Sequence, residues 1–203
     1  MDSTTAGFSL VERKKYDDKS AHRIAEEIWW VGFLDAESGD SHNPYLLVDQ
    51  DEAVLINPGS RAEKHHRIVS DKVSSIIDLS RIQHIVVLHH DPDRCAAITL
   101  FEKAAHRDVR IYAPSRVTNS IRHYGCKHPV VGLDDGDSII LKSGRAIDYY
   151  STPGLPSIGS GFLHDAKTRT IFSGNIFGNL PGEWNLFAPA NAWESPAPVN
   201  ADA

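Results

Sequence analysis

Two cysteines in 203 residues, Cys95 and Cys126, are too few for a disulfide framework or a four-cysteine zinc site. Reduced thiols and a cytoplasmic location are therefore expected. No run of about 18 apolar residues occurs, so no membrane span is expected. Basic residues are in deficit: 21 Lys and Arg stand against 27 Asp and Glu, a net charge of −6, which disfavours non-specific nucleic-acid binding. The opening Met1-Asp2-Ser3-Thr4-Thr5-Ala6-Gly7 has neither a basic nor an apolar segment, and no signal peptide is expected. A Gly-x-Ser-x-Gly strand-to-helix turn is absent, which excludes a serine nucleophile elbow. No internal repeat is evident.

What is present is one domain's worth of apolar segments and many histidines, 11 in all. Ile28–Leu34 reads as one buried strand, and 45–49 with 53–57 as a hairpin turning at Gln50-Asp51-Glu52. Pro58-Gly59-Ser60 stops that strand, with Ser60 as the N-cap of a helix carrying Ile68, Val69, Val73, Ile76 and Ile77 at helical spacing. A strand over 84–88, a helix over 94–105, a strand at 109–113 and a helix from Pro114 to about Tyr124 follow. Strand-like runs then occupy 129–132, 137–142, 146–151, 160–164 and 169–173. Residues 1–26 read as a solvated edge strand or arm. Hairpins and βα units are mixed, which favours two mixed sheets with flanking helices over a doubly wound sheet. Residues 1–187 are expected to form the domain and 188–203 a Pro/Ala-rich tail.

The densest chemistry lies in Leu88-His89-His90-Asp91-Pro92-Asp93-Arg94-Cys95, just after the apolar run 82–87. His89, Asp91 and Asp93 alternate, so in an extended loop they converge on one side. Imidazole and carboxylate form the donor set that suits zinc or non-haem iron. In the same extended loop His90 faces away from His89. His65-His66 reads as a solvated helical pair, and Cys95 as a packed thiol.

Five landmarks occur in one order: Ile28-Trp29-Trp30-Val31-Gly32, Leu55-Ile56-Asn57-Pro58-Gly59, the loop after Val86, Ser151-Thr152-Pro153-Gly154-Leu155-Pro156, and Ile171-Phe172-Ser173-Gly174-Asn175. This order over about residues 23–180 resembles the metallo-β-lactamase fold. Within it the chain is similar to the di-iron branch, the flavodiiron proteins and oxygen-binding di-iron proteins. The resemblance implies an α/β fold, an αββα sandwich of two mixed sheets flanked by helices, with metals at one sheet edge.

The implied metal loop is His-x-Glu-x-Asp-His. His89, Asp91 and Asp93 match its first three ligand positions, and Arg94 stands where the final histidine belongs. Pro156 occupies the histidine position of a Pro-x-Leu-His element, and Asn175 that of the bridging aspartate. No histidine follows His164. Asn57 replaces the aspartate that supports the loop. Arginine does not deprotonate in a protein, proline has no side-chain donor, and asparagine offers a neutral oxygen in place of an anion. His89, Asp91 and Asp93 remain as metal candidates, and Arg94 is expected to lie between the two carboxylates as a fixed cation.

The leading reading is a degenerate, non-catalytic domain with a regulatory or partner-binding role and no cofactor. Its first alternative is an iron-binding oxygen or redox sensor, or an oxygen-reducing di-iron protein, with oxygen or another small molecule as ligand. A metal-dependent hydrolase is the second alternative, and it meets the same shortage of ligands. No flavodoxin-like extension follows residue 180, so self-contained oxygen reduction is not expected. Trp184, Leu186, Phe187 and Trp193 form an apolar cluster that either folds back on the domain or covers a partner, and the resemblance to flavodiiron proteins implies a homodimer that uses it.

Overall fold

The structure, a computed structural model, describes residues 17–153, 159–174 and 186. The described residues from Asp18 to Gly174 belong to one compact unit. Its strands are β1 (His22–Ala25), β2 (Ile28–Trp30), β3 (Phe33–Leu34), β4 (Ser41–His42), β5 (Tyr45–Asp49) and β6 (Glu52–Ile56). They continue with β7 (Ile82–Val86), β8 (Arg110–Pro114), β9 (Val130–Leu133), β10 (Ser138–Ile140), β11 (Ala146–Ser151), β12 (Gly161–Asp165) and β13 (Thr170–Phe172). The helices are α1 (Glu63–Ser74), α2 (Pro92–Cys95), α3 (Ile98–Ala104) and α4 (Thr118–Arg122).

One sheet runs β1-β2-β5-β6-β7-β8-β9, antiparallel as far as β6 and parallel from β6 to β9. A second, β10-β11-β12-β13, is antiparallel throughout. β6 is buried along its whole length, as a strand covered on both faces must be. Ala53 and Leu55 face one side and meet Val69 and Val73 of α1, Ile98 and Phe101 of α3, and Ile121 of α4. Val54 and Ile56 face the other and meet Ile139, Ile147, Tyr149 and Leu163 of the second sheet. The expected sandwich of sheets holds. Two details differ from the sequence reading: the second sheet is not mixed, and the described helices cover the first sheet. No described helix is long and apolar enough to cross a membrane.

Several element boundaries moved for identifiable reasons. The run Ile28–Leu34 is two strands, because the chain leaves the large sheet at Val31-Gly32 and β3 pairs with β4. A Cβ on Gly32 would collide with the His42 carbonyl oxygen and lie 2.6 Å from Trp30 Nε1, so only glycine permits this approach. Gly32→Ala is expected to cost about 1–3 kcal/mol in urea unfolding, the usual range for overpacking; an unchanged midpoint would refute that tight approach. The helix expected over 94–105 breaks in two at Ala96-Ala97. There Gly59 N–H donates to the Arg94 carbonyl (2.9 Å) and Ala97 N–H donates to the Gly59 carbonyl (2.9 Å), diverting bonds from the helix ladder. The helix expected from Pro114 begins as a 3₁₀ turn, Ser115–Val117. Ser60 is not the N-cap of α1; Ala62 is, and Ser60 Oγ accepts from Ala62 N–H (3.1 Å). The hairpin turn is Gln50-Asp51 alone, since Asp49 pairs with Glu52.

One polar cluster ties the two sheets together. Arg145, 7% exposed, donates through Nε to Asp165 Oδ1 (2.9 Å) and through Nη2 to Asp165 Oδ2 (2.6 Å). Its Nη1 donates to Glu27 Oε2 (2.6 Å) and to Asp49 Oδ1 (3.4 Å).

Candidate metal centre

The histidine-rich loop starts where parallel strand β7 ends, in the crevice at the carboxyl ends of parallel strands where α/β sheets place ligands. Asn57, just past β6, holds it. Its Oδ1 accepts from Leu88 N–H (2.9 Å) and its own N–H donates to the Val86 carbonyl (2.8 Å). Asn57 has φ 52°, a left-handed conformation that asparagine tolerates better than most residues. The neutral amide thus performs the loop-supporting task for which a carboxylate was expected.

His89 is buried, with Nδ1 3.1 Å from Asp91 Oδ2 and 3.3 Å from Asp91 N. Burial holds its pKa below the ordinary imidazole value, which favours the neutral ring a metal needs. His90 does not face away: its ring stacks on His89 at 5.1 Å and 15°. Its carbonyl accepts from the Tyr124 hydroxyl (2.8 Å), which fixes the backbone in that position. His89, His90 and Asp91 each place one donor atom within 4.8 Å of the other two.

Asp93 is drawn elsewhere. Pro92, with its preset φ, starts α2 immediately after Asp91, so Asp93 lies in a helical turn and not in an extended loop. Its Oδ2 accepts from Arg94 Nε at 2.8 Å. The expected arginine–carboxylate pairing is therefore present for Asp93, while Asp91 faces His89. Cys95 is a packed thiol as expected; its Sγ donates to the Asp91 carbonyl (3.1 Å), and burial pushes its pKa up to about 12. His128 takes no part here, since its Nδ1 lies 2.8 Å from Glu102 Oε1. Pro156, Asn175, Trp184, Phe187, Trp193 and the 187/188 boundary lie outside the described residues.

Beside the loop is a cleft of about 160 Å³, lined by His42, Tyr45, Asn57, Asp93, Arg94 and Gly174 among others. His42 was not singled out from the sequence. Nor was Asp35, and the reading of His65-His66 as solvated is wrong for both. His66 packs edge-on against Phe101 (4.9 Å), and His65 lies against Asp35, with Nε2 3.4 Å from Oδ2.

Sheet order, the parallel strands and the His/Asp loop beyond β7 together define a metallo-β-lactamase-fold domain. Solved structures share that fold. Rubredoxin oxygen:oxidoreductase from Desulfovibrio gigas superposes with a TM-score of 0.65 at 22% identity, covering 73% of this chain and 39% of that one. The metallo-β-lactamase SMB-1 superposes at 0.60 with 17% identity, covering 72% and 58%. A structure described as the peroxy diiron species of the chemotaxis sensor ODP superposes at 0.66 with 25% identity, covering 83% and 68%. The chain belongs to the family described as ODP family beta lactamase, which matches residues 41–197. Among curated relatives, the anaerobic nitric oxide reductase flavorubredoxin of Salmonella arizonae is 26% identical over 178 residues, 81% of this chain and 36% of the relative. The chain thus spans about a third of the length of such relatives.

Proposed function

We propose that this ODP-family domain does not assemble a dinuclear iron centre and serves a non-catalytic role, regulatory or partner-binding. The observation that carries this reading is the Arg94–Asp93 pair, Nε to Oδ2 at 2.8 Å, at the end of the metal loop. One ligand position holds a cation, and the carboxylate beside it is engaged by that cation. The residues Pro156 and Asn175 remove two more donors of the resembled pattern. Two cations close together need anionic bridging and several ligands each, and this residue set does not fit that requirement. Partner binding as a homodimer through the aromatic segment 184–193 belongs to the same proposal. The test is anaerobic reconstitution with excess ferrous iron, desalting and metal analysis. Well under one iron per chain at the loop is expected, and two would overturn the reading.

A second reading is favoured by the proximity of the His89, His90 and Asp91 donors. Under it the loop holds a single iron, and the domain senses oxygen or redox state. The likeness to the ODP sensor structure supports it. Iron lost on His89→Ala would support this alternative.

A further inference from the structure

A hairpin and a helix bring together three donors outside the histidine-rich loop, and one of them, His42, lines the same cleft as Asp93 and Arg94. Asp35 directly follows β3, His42 ends β4, and His65 stands in the first turn of α1. Each offers one donor atom within 4.8 Å of the other two. We propose that Asp35, His42 and His65 bind a single divalent transition-metal ion of the zinc class, at a site separate from the His89 loop.

One edge of the cluster, between Asp35 and His65, is close to what such an ion requires. Asp35 Oδ2 and His65 Nε2 are 3.4 Å apart. That is long for a hydrogen bond between these groups but close to the ligand–ligand edge of a tetrahedron, ~3.3 Å when metal–ligand bonds are ~2.0–2.1 Å. His42 is the third donor and supplies an independent sign. It is 7% exposed, and its Nδ1 is buried with no hydrogen-bond partner among the described residues. A buried polar nitrogen left unpaired is costly, and native structures rarely keep one without a reason. Phe33 stacks on its ring at 4.7 Å and His65 lies 4.9 Å away, so the imidazole is held against its neighbours.

The supporting contacts are of the kind that orient metal ligands. Ser60 Oγ lies 3.0 Å from His65 Nδ1 and also accepts from Ala62 N–H, which directs the other ring nitrogen towards Asp35. Asp35 Oδ1 accepts from Glu37 N–H (3.1 Å), and Oδ2 accepts from the Ser38 hydroxyl (3.3 Å). The Glu37 bond leads the causes that hold the Asp35 pKa below the usual carboxylate value, so the donor is an anion. Burial lowers the His42 pKa and favours its neutral form. Lys64 is a competing cation, 3.8 Å from Asp35 Oδ1, but it is 58% exposed and closer to Glu37 Oε1 at 3.1 Å. Two imidazoles and one carboxylate, with water completing four-coordination, are a donor set for Zn²⁺ or Co²⁺.

The test is Co²⁺ titration of the full chain after chelator treatment, read by visible absorption, with Zn²⁺ displacement. One equivalent of Co²⁺ with a tetrahedral spectrum is expected. Binding should weaken at least ~100-fold in His65→Gln and in Asp35→Asn, and persist in the double variant His89→Ala/Asp91→Asn. In parallel, Zn²⁺ should raise the melting temperature of the unmodified protein and of the His89→Ala/Asp91→Asn variant. Failure of the unmodified protein to bind Co²⁺ overturns the proposal whatever the variants do. So does binding that survives both His65→Gln and Asp35→Asn but is lost with His89 and Asp91, which would place the metal at the loop.

Discussion

Arg145→Ala is expected to cost about 3–5 kcal/mol of unfolding free energy at neutral pH, the range for removing one partner of a buried ion pair. Asp165 is fully buried, and its two oxygens accept from Nε and Nη2 of the same guanidinium. Asp49, also buried, faces Nη1. Truncation leaves Asp165 in the space between the sheets without its cation, whereas Asp49 keeps Lys167 Nζ at 3.6 Å. Arg145→Lys should recover only part of the loss, because an ammonium does not reproduce the two parallel bonds. The effect has a definite pH signature. Burial raises the Asp165 pKa, but the bonds from Arg145 and Thr168 outweigh it and hold the value below that of a free carboxyl. A depressed folded-state pKa stabilises the fold above the unfolded value, about 3.9, and that contribution is lost as pH falls through the folded value. Urea unfolding should therefore show the gap between native and Arg145→Ala proteins narrowing below about pH 4. A gap under 1 kcal/mol at pH 7 would contradict the assignment of Arg145 as the link between the sheets.

The other large effect is a restoration. Arg94→His alone should raise iron retention at the loop only modestly. The change frees Asp93 from its 2.8 Å partner and adds an imidazole, but Pro156 and Asn175 still leave positions unfilled. Arg94→His with Pro156→His and Asn175→Asp should raise retention much further. Donor loss, more than repulsion, sets this order. An unpaired guanidinium ~4 Å from a divalent ion would repel it by several kcal/mol at an effective dielectric near 20. Arg94 is paired with Asp93, which cancels part of that field, whereas the missing ligands are not compensated. Equal retention by the single and triple variants would show that Arg94 alone blocks the metal.

Much of the fold was legible because apolar runs such as 53–56 and 85–88 are buried on both faces and carry the pattern of central strands. Landmark order did the rest, and it placed the loop after β7 correctly. What failed depended on partners distant in sequence. Gly59 backbone bonds split the helix at Ala96-Ala97, and no local pattern announces that. Asp93 departed from the expected convergence because Pro92 begins a helix, a signal present in the sequence but outweighed by the alternation of His89, Asp91 and Asp93. Asp35, His42 and His65 share no spacing; only the β3–β4 hairpin folding against α1 joins them. His65 looked solvated because its neighbour in sequence gives no hint of Asp35.

The most direct measurement is iron per chain after anaerobic ferrous loading and desalting, made in a His65→Gln background so that the hairpin site does not contribute. The expected result is well under one iron per chain, with no oxygen-sensitive visible band. Two tightly held irons in that background, with such a band, would show that the loop assembles a dinuclear centre despite Arg94, Pro156 and Asn175.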